Sequence, residues 1–240
     1  FGQLGAGIAH EVKNPLAGIL GYAQLTLRKL DENSPLRKNL KVIETETRRC
    51  TEIIQNLLQF ARQEKSETKV TNINEVVEAA LTIVDHQLTI NDVTIAKELD
   101  PDLPSIEASA NQLQQVVINF AINAQQALGE DGGNLTVRTR TGNDDSIVIE
   151  VEDDGPGIPP DIRANIFEPF FTTKRAGEGT GLGLSVTYGI VKDHGGDIQI
   201  EDPPGGGTRF VVTLPAKVTD ESKSSLERIT KLSSRMRQAT

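Results

Sequence analysis

Two glycine-rich clusters bracket the stretch that most restricts how this chain can fold. The first, Asp153-Asp154-Gly155-Pro156-Gly157-Ile158, follows an apolar alternation at Ile147, Ile149 and Val151 that reads as a strand. The second, Gly177-Glu178-Gly179-Thr180-Gly181-Leu182-Gly183-Leu184, leads into Leu184, Val186, Ile190 and Val191, an apolar run able to form a helix. Glycine permits positive φ and lets a backbone approach a ligand closely. Glycine-rich backbone that opens a helix offers free N–H groups and a favourable dipole to an anion. Asp153 stands where the strand ends, beside a tight turn, and its carboxylate can accept from an amino group such as the exocyclic amine of adenine. Two ordinary surface loops are the plain alternative, which a lone Gly-x-Gly would favour. Two clusters flanking one Phe-rich segment argue against it.

The two clusters resemble the glycine boxes of the sensor histidine kinases, a family that shares its nucleotide-binding fold with the gyrase, heat-shock chaperone and mismatch-repair ATPases. Between them, Ile166-Phe-Glu-Pro-Phe-Phe-Thr-Thr-Lys174 resembles the Phe box of a mobile lid over ATP. The resemblance implies a nucleotide site that uses Asp153, Gly155, Gly157 and Ile158 from the first box. From the lid it takes Phe170 and Lys174, and from the second box Gly179, Thr180, Gly181, Leu182, Gly183 and Leu184. Lys174 would reach phosphate, with Arg175 beside it. Phe167 is expected to pack inside, while Phe170 and Phe171 pin the lid.

Composition narrows the classes. The chain has 240 residues, room for one large or two small domains, and a net charge of −9. An acidic chain is a poor polyanion binder, so nucleic acid is not expected as a partner. Cys50 is the single cysteine, so no intrachain disulfide can form and a reducing compartment is natural. No apolar run approaches the roughly 20 residues that cross a bilayer. The expectation is a cytoplasmic kinase core that begins inside a helix, with any sensor or membrane-anchoring segment outside this stretch.

Residues 1 to about 63 read as two helices. The first carries Ile8, Val12, Leu16, Ile19, Ala23, Leu27 and Leu30 on one stripe. The second places Leu36, Leu40, Ile43, Thr47, Cys50, Ile54, Leu57 and Ala61 at four-three spacing, a heptad-like seam. Asp31–Pro35 is the break, with Ser34 as N-cap and Pro35 at the first helical position. Two helices alone bury such seams poorly, and pairing two hairpins into a four-helix bundle would bury them. A homodimer is therefore expected; packing of the seam on the second domain is the alternative.

His10 projects about 200° round from Ile8 and Val12, away from the stripe, with Glu11 next to it and Asn14 one turn on. Gly7-Ile-Ala-His-Glu-Val-Lys-Asn-Pro-Leu16 resembles the phosphoacceptor box of the dimerising histidine-kinase domain. By that resemblance His10 takes the phosphoryl group, Glu11 bonds the imidazole and acts as acid/base, and Asn14 orients a water for reverse phosphatase action. Pro15 lacks an N–H, so the carbonyl of Glu11 loses its usual donor and a soft point is expected there.

Glu64–Asn72 reads as a polar connector. Beyond it, Ile73 to about Leu88 has helical spacing. Val93–Leu99 and Ser105–Ala108 read as short strands. Ala110–Leu128 is a strong helix, apolar except for Gln115, Asn119 and Asn123, which share one face. Unpartnered buried amides cost roughly 1–3 kcal/mol each, so the row is suited to a polar ligand. An amide oxygen is a hard donor that suits Mg²⁺ held with phosphates. An exposed polar stripe is the plain alternative. The row resembles the family's Asn box, which implies Asn123 as the Mg²⁺ ligand and Asn119 facing the nucleotide phosphates. Where that family often carries a basic residue, Gln125-Gln126 stand here. Asn134–Thr141 and Ser146–Asp153 read as a hairpin, Leu182–His194 as a helix, and Asp197–Glu201 with Gly207–Leu214 as closing strands.

The expected architecture is multidomain. An all-α hairpin forming a dimeric four-helix bundle (1–65) is followed by a linker (66–72), an α+β two-layer sandwich that binds ATP (73–216) and a tail (217–240). The tail reads equally as a linker, a docking helix or a frayed end. The function implied is a two-component kinase that phosphorylates His10 from ATP and passes the group to an aspartate of a response-regulator receiver domain. A gyrase- or chaperone-type ATPase predicts no exposed histidine on a dimerising hairpin. A non-catalytic signalling scaffold predicts a broken Asn or Gly box.

Overall fold

A computed structural model describes residues 2–61, 67–143, 146–174 and 179–216, except the side chains of 2–11, 52, 53 and 55–61. Arg175, Gly177, Glu178 and the 217–240 tail lie outside the described residues. The chain divides into two compact units, one of Phe1–Lys65 with Asn165–Val186, the other of Ser66–Ala164 with Thr187–Thr240.

In the first unit, α1 (Gly2–Lys29) and α2 (Leu36–Ala61) form the helical hairpin. The turn is held from both sides. Ser34 Oγ accepts from the Leu36 N–H at 3.4 Å, and the Arg37 guanidinium donates to the carbonyls of Leu27 and Leu30 at 3.0 Å each. Arg37 thus satisfies carbonyls that the end of α1 leaves without helical donors. The helix runs unbroken through Pro15. Among the described side chains of the hairpin only Ala23 and Thr47 are buried. Ile19 is 47% exposed, Ile43 44% and Tyr22 76%. With Pro15, Ala23 and Leu40 they line an apolar cleft of about 500 Å³ between the helices. The stripes are there, and one hairpin does not bury them.

In the second unit, β1 (Lys69–Thr71) pairs antiparallel with β3 (Ile106–Ala108). Residues 69–71 fall within the 66–72 stretch expected to be a linker. They are instead a strand, secured by the Thr71 hydroxyl, which donates to the Ala108 carbonyl at 3.0 Å and is buried. Next, α3 (Ile73–Ile90) starts at Asn72, whose side chain accepts from the N–H groups of Asn74 and Glu75. β2 (Val93–Leu99), α4 (Ala110–Leu128), β4 (Gly133–Thr141), β5 (Ile147–Asp153), α5 (Gly183–Asp193), β6 (Asp197–Glu201) and β7 (Thr208–Leu214) complete the order. The main sheet runs β2-β4-β5-β7-β6; β2 and β4 are parallel and every other pair is antiparallel.

Strand alternation gives this sheet two different faces. The face toward α3 and α4 carries Leu135, Val137, Ile147, Ile149, Val151, Phe210, Val212 and Leu214, all buried. Phe120 of α4 stacks on Phe210 of β7 with centroids 4.5 Å apart. On the opposite face an alternating chain of charge crosses all five strands: Glu98, Arg138, Glu152, Arg209, Glu201. Glu152 is its centre, bonded by Arg138 at 2.7 Å and Arg209 at 2.6 Å. Burial alone would raise its pKa, but hydrogen bonds from Arg209 and Arg138 outweigh that and hold it below the usual carboxylate value.

A depressed folded pKa contributes stability above the unfolded value of about 4.3, and that contribution is lost as pH falls through the folded value. Glu152→Gln should therefore cost about 1–2 kcal/mol at pH 7, measured by urea unfolding. The gap to wild type should shrink as pH drops below about 4.

Candidate nucleotide site

The end of β5 sets the electrostatics of the site. Asp153 is 5% exposed, because its register opposite Leu135 and Thr208 turns it to the helix face of the sheet. Its Oδ1 accepts from the Gly155 N–H at 3.0 Å, and the Thr208 N–H also bonds the carboxylate. Burial pushes its pKa up against those two bonds. The next residue goes the other way. Asp154 accepts from the Asn134 N–H and side-chain amide, both at 2.7 Å, and the backbone bond first of all lowers its pKa. Two adjacent carboxylates thus occupy opposite regimes.

Glycine is required here by the approach of two chain segments. A Cβ at Gly207, where φ is +95°, would collide with the Asp153 carbonyl. A Cβ at Gly157 would meet the Gly207 carbonyl at 3.0 Å. Past this turn, the Ile158 carbonyl accepts from Arg163 Nε at 2.8 Å, and Arg163 also pairs with Asp202. The sequence places Gly207 and Thr208 only at the start of a closing strand, and gives Arg163 no role. Only the Gly205-Gly206-Gly207 run hinted at a close approach.

On α4 the amide row is present and half-buried. Gln115 Nε2 donates to Asn119 Oδ1 at 2.7 Å, and Asn119 Nδ2 donates to Thr187 Oγ1 at 3.1 Å. The Asn123 side chain, one turn on, makes no hydrogen bond to another described residue. An amide oxygen so placed fits one coordination position of a hard cation. Among the described residues no group of three or more His, Cys, Asp or Glu could hold a metal without help. The residues therefore fit Mg²⁺ bound chiefly through phosphate oxygens.

The lid segment belongs to the other unit. Ile166 is its buried residue, while Phe167, expected inside, is only half-buried. Phe171 is half-buried and Phe170 is 60% exposed. Phe170 adopts a φ of +68°, uncommon for a residue with a Cβ, and its N–H donates to the Gly181 carbonyl at 2.9 Å. Gly181, at φ +66°, has no space for a Cβ beside the Phe170 backbone. Thr180 Oγ1 accepts from the Leu182 N–H at 3.4 Å, and Leu182 is buried. Gly179, Gly183 and Leu184 are half-buried. Burial lowers the pKa of Lys174, so an anionic group nearby would favour its charged form. In the hairpin, Asn14 is exposed on α1, and the side chains of His10 and Glu11 lie outside the described residues.

Comparison with known proteins matches two stretches of the chain to known domains. Residues 2–66 match the His Kinase A (phospho-acceptor) domain. Residues 108–218 match the histidine kinase-, DNA gyrase B-, and HSP90-like ATPase domain. The sensor kinase CckA of Brucella abortus (strain 2308) is 36% identical over 234 residues, 92% of this chain and 25% of that protein. The signal transduction histidine-protein kinase AtoS of Escherichia coli (strain K12) is 38% identical over 215 residues, 90% of this chain and 35% of that protein. The sensory histidine kinase/phosphatase NtrB of Escherichia coli O157:H7 is 37% identical over 221 residues, 88% of this chain and 61% of that protein. The chain thus spans from a quarter to less than two thirds of the length of these relatives. Among solved structures, full-length ShkA in complex with AMPPNP superposes with a TM-score of 0.73 at 26% identity, covering 89% of this chain and 45% of that one. The histidine kinase ThkA in complex with the response regulator protein TrrA gives 0.65 at 28% identity, covering 90% and 61%. A phosphoacceptor domain ahead of the ATPase domain disfavours a gyrase- or chaperone-type ATPase. The chain belongs to the sensor histidine kinases and is a core of that family, a helical hairpin followed by an α/β ATPase-type domain.

Proposed function

We propose that this core phosphorylates its own His10 from ATP and passes the phosphoryl group to an aspartate of a response-regulator receiver domain. The observation that carries the reading is the tandem order of a phosphoacceptor domain and an ATPase domain in one chain. The response regulator seen with ThkA supports the choice of partner, and the kinase/phosphatase name of NtrB supports a reverse activity in which Asn14 orients water. Residues 1–65 serve as the phosphoacceptor hairpin and 73–216 as the catalytic domain, which β1 extends to Lys69. Phosphoryl transfer between these parts suits the cytoplasm, where ATP is available.

In the proposed site Asp153 accepts from the adenine amine, and Gly155, Gly157 and Ile158 shape the turn against which the base lies. Asn119 faces the phosphates. Asn123 would hold Mg²⁺, which would spread the phosphate charge as the terminal group leaves. Lys174, Thr180 and the N–H groups of Gly181–Leu184 meet the same phosphates, with Gly179 leaving room for the backbone and Phe170 closing the lid. An imidazole nitrogen of His10 forms a bond to the γ-phosphorus as the bond to ADP oxygen breaks, and Glu11 takes up the imidazole proton. Binding energy and positioning supply most of the acceleration in such transfers.

Incubation with γ-labelled ATP and Mg²⁺ should give acid-labile, alkali-stable label on the wild type and none on His10→Ala. Label that persists in the variant would sink the assignment.

The hairpin is proposed to dimerise through its apolar cleft. Ile43→Glu places a charge there and should turn a dimer into a monomer in sedimentation equilibrium. A wild type that sediments as a monomer refutes this.

Asp153 gives a paired test. Its folded pKa is raised, so the fold favours the protonated form. Stability therefore declines as pH rises from the unfolded value of about 3.9 to the folded one, and stays reduced above it. Asp153→Asn should be at least as stable as wild type at pH 7, with the difference vanishing below about pH 4. Its affinity for ADP should fall at least tenfold, because a hydrogen bond to a charged group is worth about 1.5–3 kcal/mol. Loss of stability with affinity retained would contradict the reading.

A further inference from the structure

Thr187 has no part in the machinery described so far, yet its burial and partner tie it to that machinery. It sits on α5, the helix that follows the second glycine cluster, and is 0% exposed. Its hydroxyl accepts from Asn119 Nδ2 at 3.1 Å, across 68 residues of sequence. The other end of the same amide is also engaged, with Asn119 Oδ1 accepting from Gln115 Nε2 at 2.7 Å. Bonds at both ends decide which way the amide faces. If it turned over, its NH₂ would confront the Gln115 donor.

We propose that Thr187 is a positioning residue for nucleotide binding: its hydroxyl holds the Asn119 amide in the orientation that meets the nucleotide phosphates. This rests on the role given to Asn119 under the proposed function. An aliphatic residue of the same shape would fill the space but remove this acceptor from Nδ2, so that the amide is held less firmly in this orientation. A ligand arriving at a disordered amide must order it first, and that cost appears as lost affinity. The role is carried through Asn119, so it cannot survive Asn119's removal.

The test measures AMPPNP binding by calorimetry in the presence of Mg²⁺, with thermal unfolding recorded for each variant. Thr187→Val should weaken binding about three- to tenfold, the size expected for one hydrogen bond, and Thr187→Ser should restore it. Should the Val variant fail to fold, Thr187→Ala carries the same expectation. In an Asn119→Ala background, Thr187→Val should cost nothing further. A Thr187→Val protein that binds like wild type overturns the positioning role, whatever its melting temperature. So does an equal loss in the Asn119→Ala background. A wild type that fails to bind AMPPNP overturns the nucleotide reading beneath the proposal, and the proposal with it, which separates the two failures.

Discussion

A carboxylate buried at the end of the central strand is the constraint around which the sheet unit is arranged. β5 is paired on both sides, so Asp153 cannot move out to water without breaking ladder bonds to β4 or β7. Two backbone N–H groups, from Gly155 and Thr208, meet the charge instead. They reach it only because the segments on either side come unusually close. Gly207 lies where its α-hydrogen faces the Asp153 carbonyl, and Gly157 lies against Gly207 in turn. The glycines of the first cluster and of the β6–β7 connection therefore serve one purpose. They let two turns pack tightly enough to solvate a carboxylate with backbone alone. Burial still dominates, and the remaining cost is what a ligand amine could relieve.

Three consecutive acids at this strand end, Glu152, Asp153 and Asp154, have three different environments. Alternation sends Glu152 to the outer face, where two arginines hold it ionised. It sends Asp153 to the helix face, where apolar neighbours oppose ionisation. Asp154 is past the last pairing and is bonded by Asn134. The outer charge chain crosses every strand, so the two arginines that lower the pKa of Glu152 also pair with Glu98 and Glu201 and tie the edge strands β2 and β6 to the centre. That links the rigidity of the sheet to the placement of Asp153. A slip of one residue would turn Asp153 to the outer face and Glu152 to the helix face.

The sequence was legible wherever structure follows from local pattern. The helices Ile73–Ile90 and Ala110–Leu128 and the strands Val93–Leu99 and Asp197–Glu201 coincide with their apolar spacing and flanking breakers to within two residues. β1 was missed because three residues are too few to show a period, and its stability comes from a partner strand far along the chain. The same holds for the parallel pairing of β2 with β4 and for the stack of Phe120 on Phe210. Phe167 is expected inside, yet Ile166 holds the buried position, because an irregular segment has no periodicity to say which neighbour turns inward. In the candidate site, residue types with strong local demands stood out: glycines, a strand-end aspartate, amides on an apolar helix. Their partners did not, since Thr187, Thr208 and Arg163 look ordinary until the fold brings them to Asn119, Asp153 and Ile158.

The hairpin follows a different logic from the sheet. Its turn is well determined, because Arg37 closes the end of α1 and Ser34 caps α2. Its long faces are not, because the apolar residues at Ile19, Tyr22 and Ile43 remain open on one side. Apolar area removed from water is worth roughly 25 cal/mol per Å², so a second copy laid along this cleft would gain stability from surface that one hairpin leaves exposed. Pro15 lines the same cleft. It is also the point where α1 lacks a backbone hydrogen bond, since proline cannot donate to the Glu11 carbonyl. The surface that needs a partner and the weakest turn of the helix therefore coincide. Packing across the cleft would then set the geometry of the helix at the turn that carries His10.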